Sequence, residues 1–242
     1  MKPDIMRITN DRFSSRAFSV QHLSPYQYIK QFVDGKIVLD AGTATGYGVY
    51  YLSEKAGEAV GIDINEQEIE KAQKEYSRDN LVFKVNSVLD IEFADEYFDI
   101  IMSSQVIEHI PLDDLDKYLS EIYRVLKKDG IFFVSTLNLI NNLKGRGPDD
   151  YDKSPLHVKE FRPDELKEFL LKKFSNVEIL GLHRGLRHGF YNLLKKSGIF
   201  KRMPDAFNPV KKFYNKTIDL TDFVYSPSNL DNSFDLLGIC KK

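Results

Sequence analysis

One stretch constrains this chain more than any other: Lys36 to Asp63, KIVLDAGTATGYGVYYLSEKAGEAVGID. Ile37, Val38 and Leu39 form a short apolar run that reads as a strand buried on both faces. A glycine-punctuated turn from Asp40 to Gly48 follows, then an amphipathic helix, then a second strand that stops at Asp63. Glycine has no Cβ, so Gly42 and Gly46 let the backbone turn sharply and lie close against a ligand, while the first free N–H groups of the helix face it. An acidic residue about 20 positions downstream, at the tip of the next strand, can accept two ribose hydroxyls. Asp63 stands there. The pattern predicts a nucleotide pocket at the carboxyl ends of parallel strands.

The residue that opens the turn narrows the ligand. Asp40 would repel the pyrophosphate of a dinucleotide and attract a cation. S-adenosylmethionine (SAM) carries a sulfonium and an ammonium and no phosphate. Here the chain resembles the class I SAM-dependent methyltransferases, whose first motif is D-x-G-x-G-x-G. Ala44 replaces the middle glycine, which a negative φ at that position would accommodate. The resemblance runs from about residue 22 to the C-terminus. It implies an α/β fold with a three-layer, Rossmann-like, doubly wound sheet, mostly parallel with an antiparallel C-terminal strand, SFDLLGICKK. It implies SAM as cofactor, held by Asp40, Gly42, Thr43, Gly46, Asp63, Ile64, Ser87, Val88, Ser103 and Gln105. A Gly-rich turn without a ligand is the alternative, and it falls to the motifs further along.

Ser24-Pro25 reads as a helix start, an N-cap followed by proline at the first helical position. Asn65 and Glu68 have capping-box spacing for the helix after Asp63. LVFKVNSVLD is a strand whose end, at Asn86-Ser87-Val88, belongs beside the adenine. In YFDIIMSSQVIEHI, Phe98 to Met102 make the fourth strand, with Ser103, Ser104 and Gln105 at its tip and Glu108-His109 within a turn. DDLDKYLSEIYRVLKK is an amphipathic helix, after which Asp129-Gly130 turn the chain into a fifth strand, IFFVSTL. His157 to Phe161, HVKEF, and the Thr45-Gly46-Tyr47-Gly48 run resemble segments of ubiquinone-type methyltransferases, many assigned to glycan or lipid modification.

Composition bounds the rest. A chain of 242 residues with 42% hydrophobic and 29% charged residues can bury a sizeable core, and a net charge of −2 excludes general polyanion binding. A single cysteine, Cys240, excludes an internal disulfide and a cysteine zinc site. No apolar run approaches 18 residues and the N-terminus lacks an apolar signal core, so a cytoplasmic protein is expected. The predicted domains are 1–182 plus 233–242 for the methyltransferase, with residues 1–22 as an N-terminal arm, and 183–232 as a basic and aromatic insertion forming an acceptor lid. From His183 to Lys216 there are nine Lys or Arg against one acid, Asp205, interleaved with aromatics. Such a segment suits an anionic membrane surface or a phosphorylated acceptor, or is a lid whose lysines stay wet; nucleic acid is not the expected partner. The oligomeric state is left open.

For an alcohol acceptor a base is required, and His109 and His157 are the expected catalytic residues. Related O-methyltransferases hold a divalent ion with E-x-x-E-H, matched here by Gln105, Glu108 and His109, with His157 as a fourth ligand. A neutral Gln105 weakens a hard-cation site, so no metal is assigned. The expected activity is O-methylation of a small-molecule, sugar or lipid-linked acceptor. A quinone-like phenol with metal assistance and a non-catalytic SAM-binding module are the alternatives. An NAD-dependent reductase is disfavoured by Asp40.

Overall fold

A computed structural model describes residues 16–147, 151, 153–185, 189–190, 193–194 and 209–242. Residues 1–15 of the expected arm and much of 186–208 lie outside the described residues. The first parallel unit is β1 (Ile37–Ala41), α2 (Tyr47–Leu52), β2 (Glu58–Asp63), α3 (Glu66–Glu75) and β3 (Leu81–Val85), preceded by α1 (Arg16–Ile29). Then come β4 (Phe98–Ser104), α4 (Leu115–Val125), β5 (Leu126–Leu137), α5 (Leu139–Leu143), α6 (Pro163–Leu171), β6 (Asn176–Arg184), α7 (Pro209–Thr217), β7 (Phe223–Ser226) and β8 (Asp235–Lys241).

The eight strands form one sheet in the order β3-β2-β1-β4-β5-β8-β6-β7. β1 to β5 pair in parallel, whereas β8 runs antiparallel to both β5 and β6. The expected fold class is therefore found, including the reversed C-terminal strand. Two apolar clusters pack on opposite faces. Val20, Leu23, Ile29, Val49, Leu52, Ile69 and Ala72 from α1, α2 and α3 cover one; Leu115, Leu119, Ile122, Leu166 and Leu170 from α4 and α6 cover the other. Because β1, β4 and β5 are central, both faces of Val38, Leu39, Ile101, Phe132 and Phe133 are fully buried, which is why those runs are continuously apolar.

Three local expectations change. Helix α1 does not start at Ser24 but runs through Pro25. Proline leaves the carbonyl four residues back without its N–H, and the Ser24 hydroxyl donates to that carbonyl, Gln21 O, at 2.6 Å. Asp129-Gly130 do not precede the fifth strand; they lie within β5, where the register jumps between Phe98↔Leu126 and Ile100↔Ile131 and Asp129 takes φ 63°. The 183–232 segment also adds an eighth strand, β7, antiparallel to β6, and places Tyr214, Ile218, Leu220 and Phe223 in the core. Among the described residues no helix is long and apolar enough to cross a membrane.

Candidate active site

The carboxyl ends of β1, β2 and β4 open onto a cavity of about 530 Å³. Its floor is the loop after β1. Gly42 and Gly46 both take positive φ, 86° and 80°, and at either one a side chain has no room: a Cβ would lie 2.4 Å from Val106 Cγ2 or from Phe83 Cε1. Ala44 sits between them at φ 48°, the left-handed region and not the negative φ expected. Its N–H is tied down by Asp63 Oδ2 at 2.8 Å, while Asp63 Oδ1 accepts from Asn65 N at 2.9 Å. Each oxygen of that carboxylate keeps a lone pair for a further donor. Asn65 in turn caps α3, accepting from Gln67 N and Glu68 N.

Of the residues singled out in the sequence, Gly42, Thr43, Asp63, Ile64, Ser87, Val88, Gln105 and His109 line the cavity; Asp40, Gly46, Ser103 and His157 do not. The reasons are geometric. Successive strand residues face opposite sides, so Ser104 faces the cavity while Ser103 is fully buried and donates to Ala41 O at 3.0 Å. Gly46 faces Phe83 on β3. Asp40 has no exposed surface at all: Thr43 Oγ1 donates to its Oδ2 at 2.7 Å, and the Tyr26 hydroxyl lies 3.1 Å and 3.3 Å from its two oxygens. Burial pushes the Asp40 carboxyl up to about 7, although those two hydroxyls hold it back. Sequence reasoning missed His22 and Tyr26, both wall residues from α1. Nothing local in α1 marks them, since only the docking of α1 on the sheet brings them here.

The HVKEF segment is fastened to the turn after β4. Val158 N and Lys159 N donate to Glu108 O at 2.7 Å and 3.2 Å, and His109 Nδ1 lies 2.9 Å from Leu156 O. A carbonyl only accepts, so Nδ1 of His109 carries the proton and Nε2 is the basic nitrogen. His157 Nδ1 pairs with Glu160 Oε1 at 2.7 Å, and Asn142 Nδ2 donates to Glu160 Oε2. The two imidazoles meet edge to face, with centroids 5.1 Å apart. Beneath them Glu108 is 1% exposed; Thr136 Oγ1 donates to its Oε2, and its Oε1 has no partner. Burial pushes that carboxyl up to about 7. One ligand atom from each of Glu108, His109 and His157 lies within 4.8 Å of the others.

A doubly wound sheet with a reversed last strand, and a glycine loop facing an acidic strand tip, defines a class I methyltransferase. The family profile described as "Methyltransferase domain" matches residues 39–134. A probable S-adenosylmethionine-dependent methyltransferase of Mycolicibacterium smegmatis is 32% identical over 231 residues, covering 90% of this chain and 86% of that protein. A similarly named protein of Mycobacterium tuberculosis is 31% identical over 168 residues, of which this chain spans 59% of the length. In fold the chain is similar to a SAM-dependent methyltransferase of Archaeoglobus fulgidus, with a TM-score of 0.63, 20% identity and coverage of 94% and 95%. The chain belongs to the SAM-dependent methyltransferase family, and SAM is its cofactor.

Proposed function

We propose that this methyltransferase transfers the methyl group to a hydroxyl, on a sugar, a lipid-linked glycan or another small molecule, with His109 as the base. When bound, SAM supplies an electrophilic methyl carbon and a thioether leaving group. The chain's own residues do the rest. Asp63 accepts the ribose hydroxyls, Ile64 and Val88 flank the adenine, Ser87 accepts its amino group, and Gly42, Thr43 and Gln105 border the methionine end. Asp40, Gly46 and Ser103 act from below by holding the loop and the strand tip. The acceptor oxygen attacks the methyl carbon with its lone pair, the carbon–sulfur bond breaks, and His109 Nε2 takes the hydroxyl proton.

The single observation that carries this choice is the committed Nδ1 of His109, which leaves a neutral, basic nitrogen on a residue of the cavity wall. An amine or thiolate acceptor would need no such base, and a hydroxyl does. The HVKEF resemblance adds weight to a sugar-like acceptor, and residues 183–232 would form the acceptor lid. Their basic charge also suits acceptors held at an anionic membrane surface. The test is a screen of sugars, phenols and amines with methyl-labelled SAM, followed by His109→Gln. Hydroxyl methylation should fall by about 10²-fold or more with the affinity for the demethylated product unchanged; transfer to amines that ignores His109 would overturn the assignment.

One observation favours a metal-assisted variant. The orphaned Oε1 of Glu108 beside two imidazoles is a donor set that fits a divalent ion, which Glu108, His109 and His157 would hold. Such an ion would lower the pKa of a bound hydroxyl.

A further inference from the structure

The buried carboxylate at the end of β1 has a consequence for which part of SAM this enzyme reads. Ionised, Asp40 can only accept hydrogen bonds. Tyr26 and Thr43 therefore both spend their hydroxyl hydrogens on it, Thr43 Oγ1 at 2.7 Å and Tyr26 Oη at 3.1 Å. A hydroxyl has one hydrogen, so what remains on each oxygen is lone pairs. Both residues line the cavity. The Ser104 hydroxyl is a hydrogen-bonding neighbour of the Tyr26 phenol on its other side and lies 3.0 Å from Ser135 Oγ. The wall where α1 meets the glycine loop and the tip of β4 thus presents oriented acceptors above a buried negative charge. The arrangement is tightly built: a Cβ on Gly48 would lie 2.1 Å from Tyr26 Cζ, so that glycine exists to let the phenol reach Asp40.

We propose that Tyr26, oriented by Asp40, is a specificity-determining residue for the ammonium end of the methyl donor. The chemistry is that of a layered site. An ammonium offers three hydrogens and needs acceptors; a carboxylate in direct contact would pair with it but would stand exposed to water whenever the site is empty. Here the charge sits one layer down, and the hydroxyls carry its effect to the cavity. An anionic group in the same place would meet lone pairs and a like charge, which explains how Asp40 excludes phosphate without touching the ligand. Tyr26 belongs to α1, so docking of that helix and reading of the amino-acid end are one event.

The inference rests on the assignment of this cavity to SAM, and two ligands separate the two claims. S-adenosylhomocysteine has the amino-acid end; 5′-methylthioadenosine lacks it and keeps the nucleoside. By calorimetry, Tyr26→Phe should weaken S-adenosylhomocysteine about ten-fold, the scale of one hydrogen bond to a charged group, and leave 5′-methylthioadenosine within about two-fold. Asp40→Asn should do the same or more, because a carboxamide accepts one hydroxyl and donates to the other, turning it round. Retained binding of 5′-methylthioadenosine is also the control for folding. Equal weakening of both ligands would reduce Tyr26 to a packing residue and overturn the inference, as would unchanged binding of S-adenosylhomocysteine. If the unmodified protein bound neither ligand, the cofactor assignment itself would fall.

Discussion

The carboxylate of Asp63, at the tip of β2, holds the backbone N–H of Ala44 at 2.8 Å across the mouth of the glycine loop. Ala44 is the residue that departs from the family's D-x-G-x-G-x-G motif, and it carries a φ of 48°. An L-residue in the left-handed region costs about 1 to 2 kcal/mol, while glycine there loses about 0.5 to 1 kcal/mol in chain entropy. Ala44→Gly should therefore stabilise the protein by up to about 1 kcal/mol, read as a higher denaturation midpoint, without weakening SAM. Loss of stability on that substitution would mean that the methyl group makes a contact worth more than the strain.

Asp63 itself has a second task, since both of its oxygens accept backbone N–H groups and both keep a lone pair for the ribose. Asp63→Ala should weaken S-adenosylhomocysteine and 5′-methylthioadenosine alike, by roughly 1 to 3 kcal/mol each. The equal loss distinguishes it from Tyr26. An affinity for 5′-methylthioadenosine that does not change would remove Asp63 from the ribose.

How much of this could be seen in the chain follows from which interactions are local. The loop from Asp40 to Gly46, the acidic tip at Asp63 and the cap at Asn65 are set by residues close in sequence, and the spacing alone located them. The reversal of β8 was legible because its place after β6 is a property of the fold resembled. What stayed hidden depends on docking. Tyr26 and His22 reach the cavity only when α1 lies on the sheet, tied by Arg16 Nε to Ile218 O at 2.9 Å and by Gln21 Nε2 to Asp235 Oδ2 at 2.9 Å. Ser24-Pro25 misled because the hydroxyl of Ser24 bonds back to Gln21 O instead of capping forward. Ser103 and Ser104 could not be told apart without knowing the pleat.

Asp235 gives a prediction on stability. It is buried between Gln21 and Arg184, its Oδ1 has no partner, and burial raises its carboxyl to about 6, with Gln21 and Arg184 opposing. Between about pH 4 and pH 6 the folded state keeps a proton here that the unfolded chain releases. Stability from this group is therefore present at low pH, falls as pH rises through that window, and is flat above it. Two units correspond to about 3 kcal/mol. Asp235→Asn should remove that part of the slope in urea titrations from pH 4 to 7. The remaining slope belongs to Asp40 and Glu108, whose carboxyls are raised to about 7. A variant whose stability profile runs parallel to that of the unmodified protein would show Asp235 ionised throughout.

The same sign rule governs binding at Asp40. With its carboxyl raised to about 7, a large share of the free protein holds a proton there near neutrality. An ammonium favours the ionised form, so affinity for S-adenosylhomocysteine should climb about ten-fold between pH 6 and 8 and level off above, because binding must first displace that proton. 5′-Methylthioadenosine, which brings no charge, should show a flat profile. The groups facing Asp40 are Tyr26, Thr43 and the N–H of Val49, with Tyr47 beside Tyr26 and Asp63 acting through space. His22 and His109 also line the cavity, and protonating either one would repel the same ammonium. Asp40→Asn separates these causes: a profile made flat by that substitution assigns the proton to Asp40, and a slope that survives it assigns the proton to a histidine.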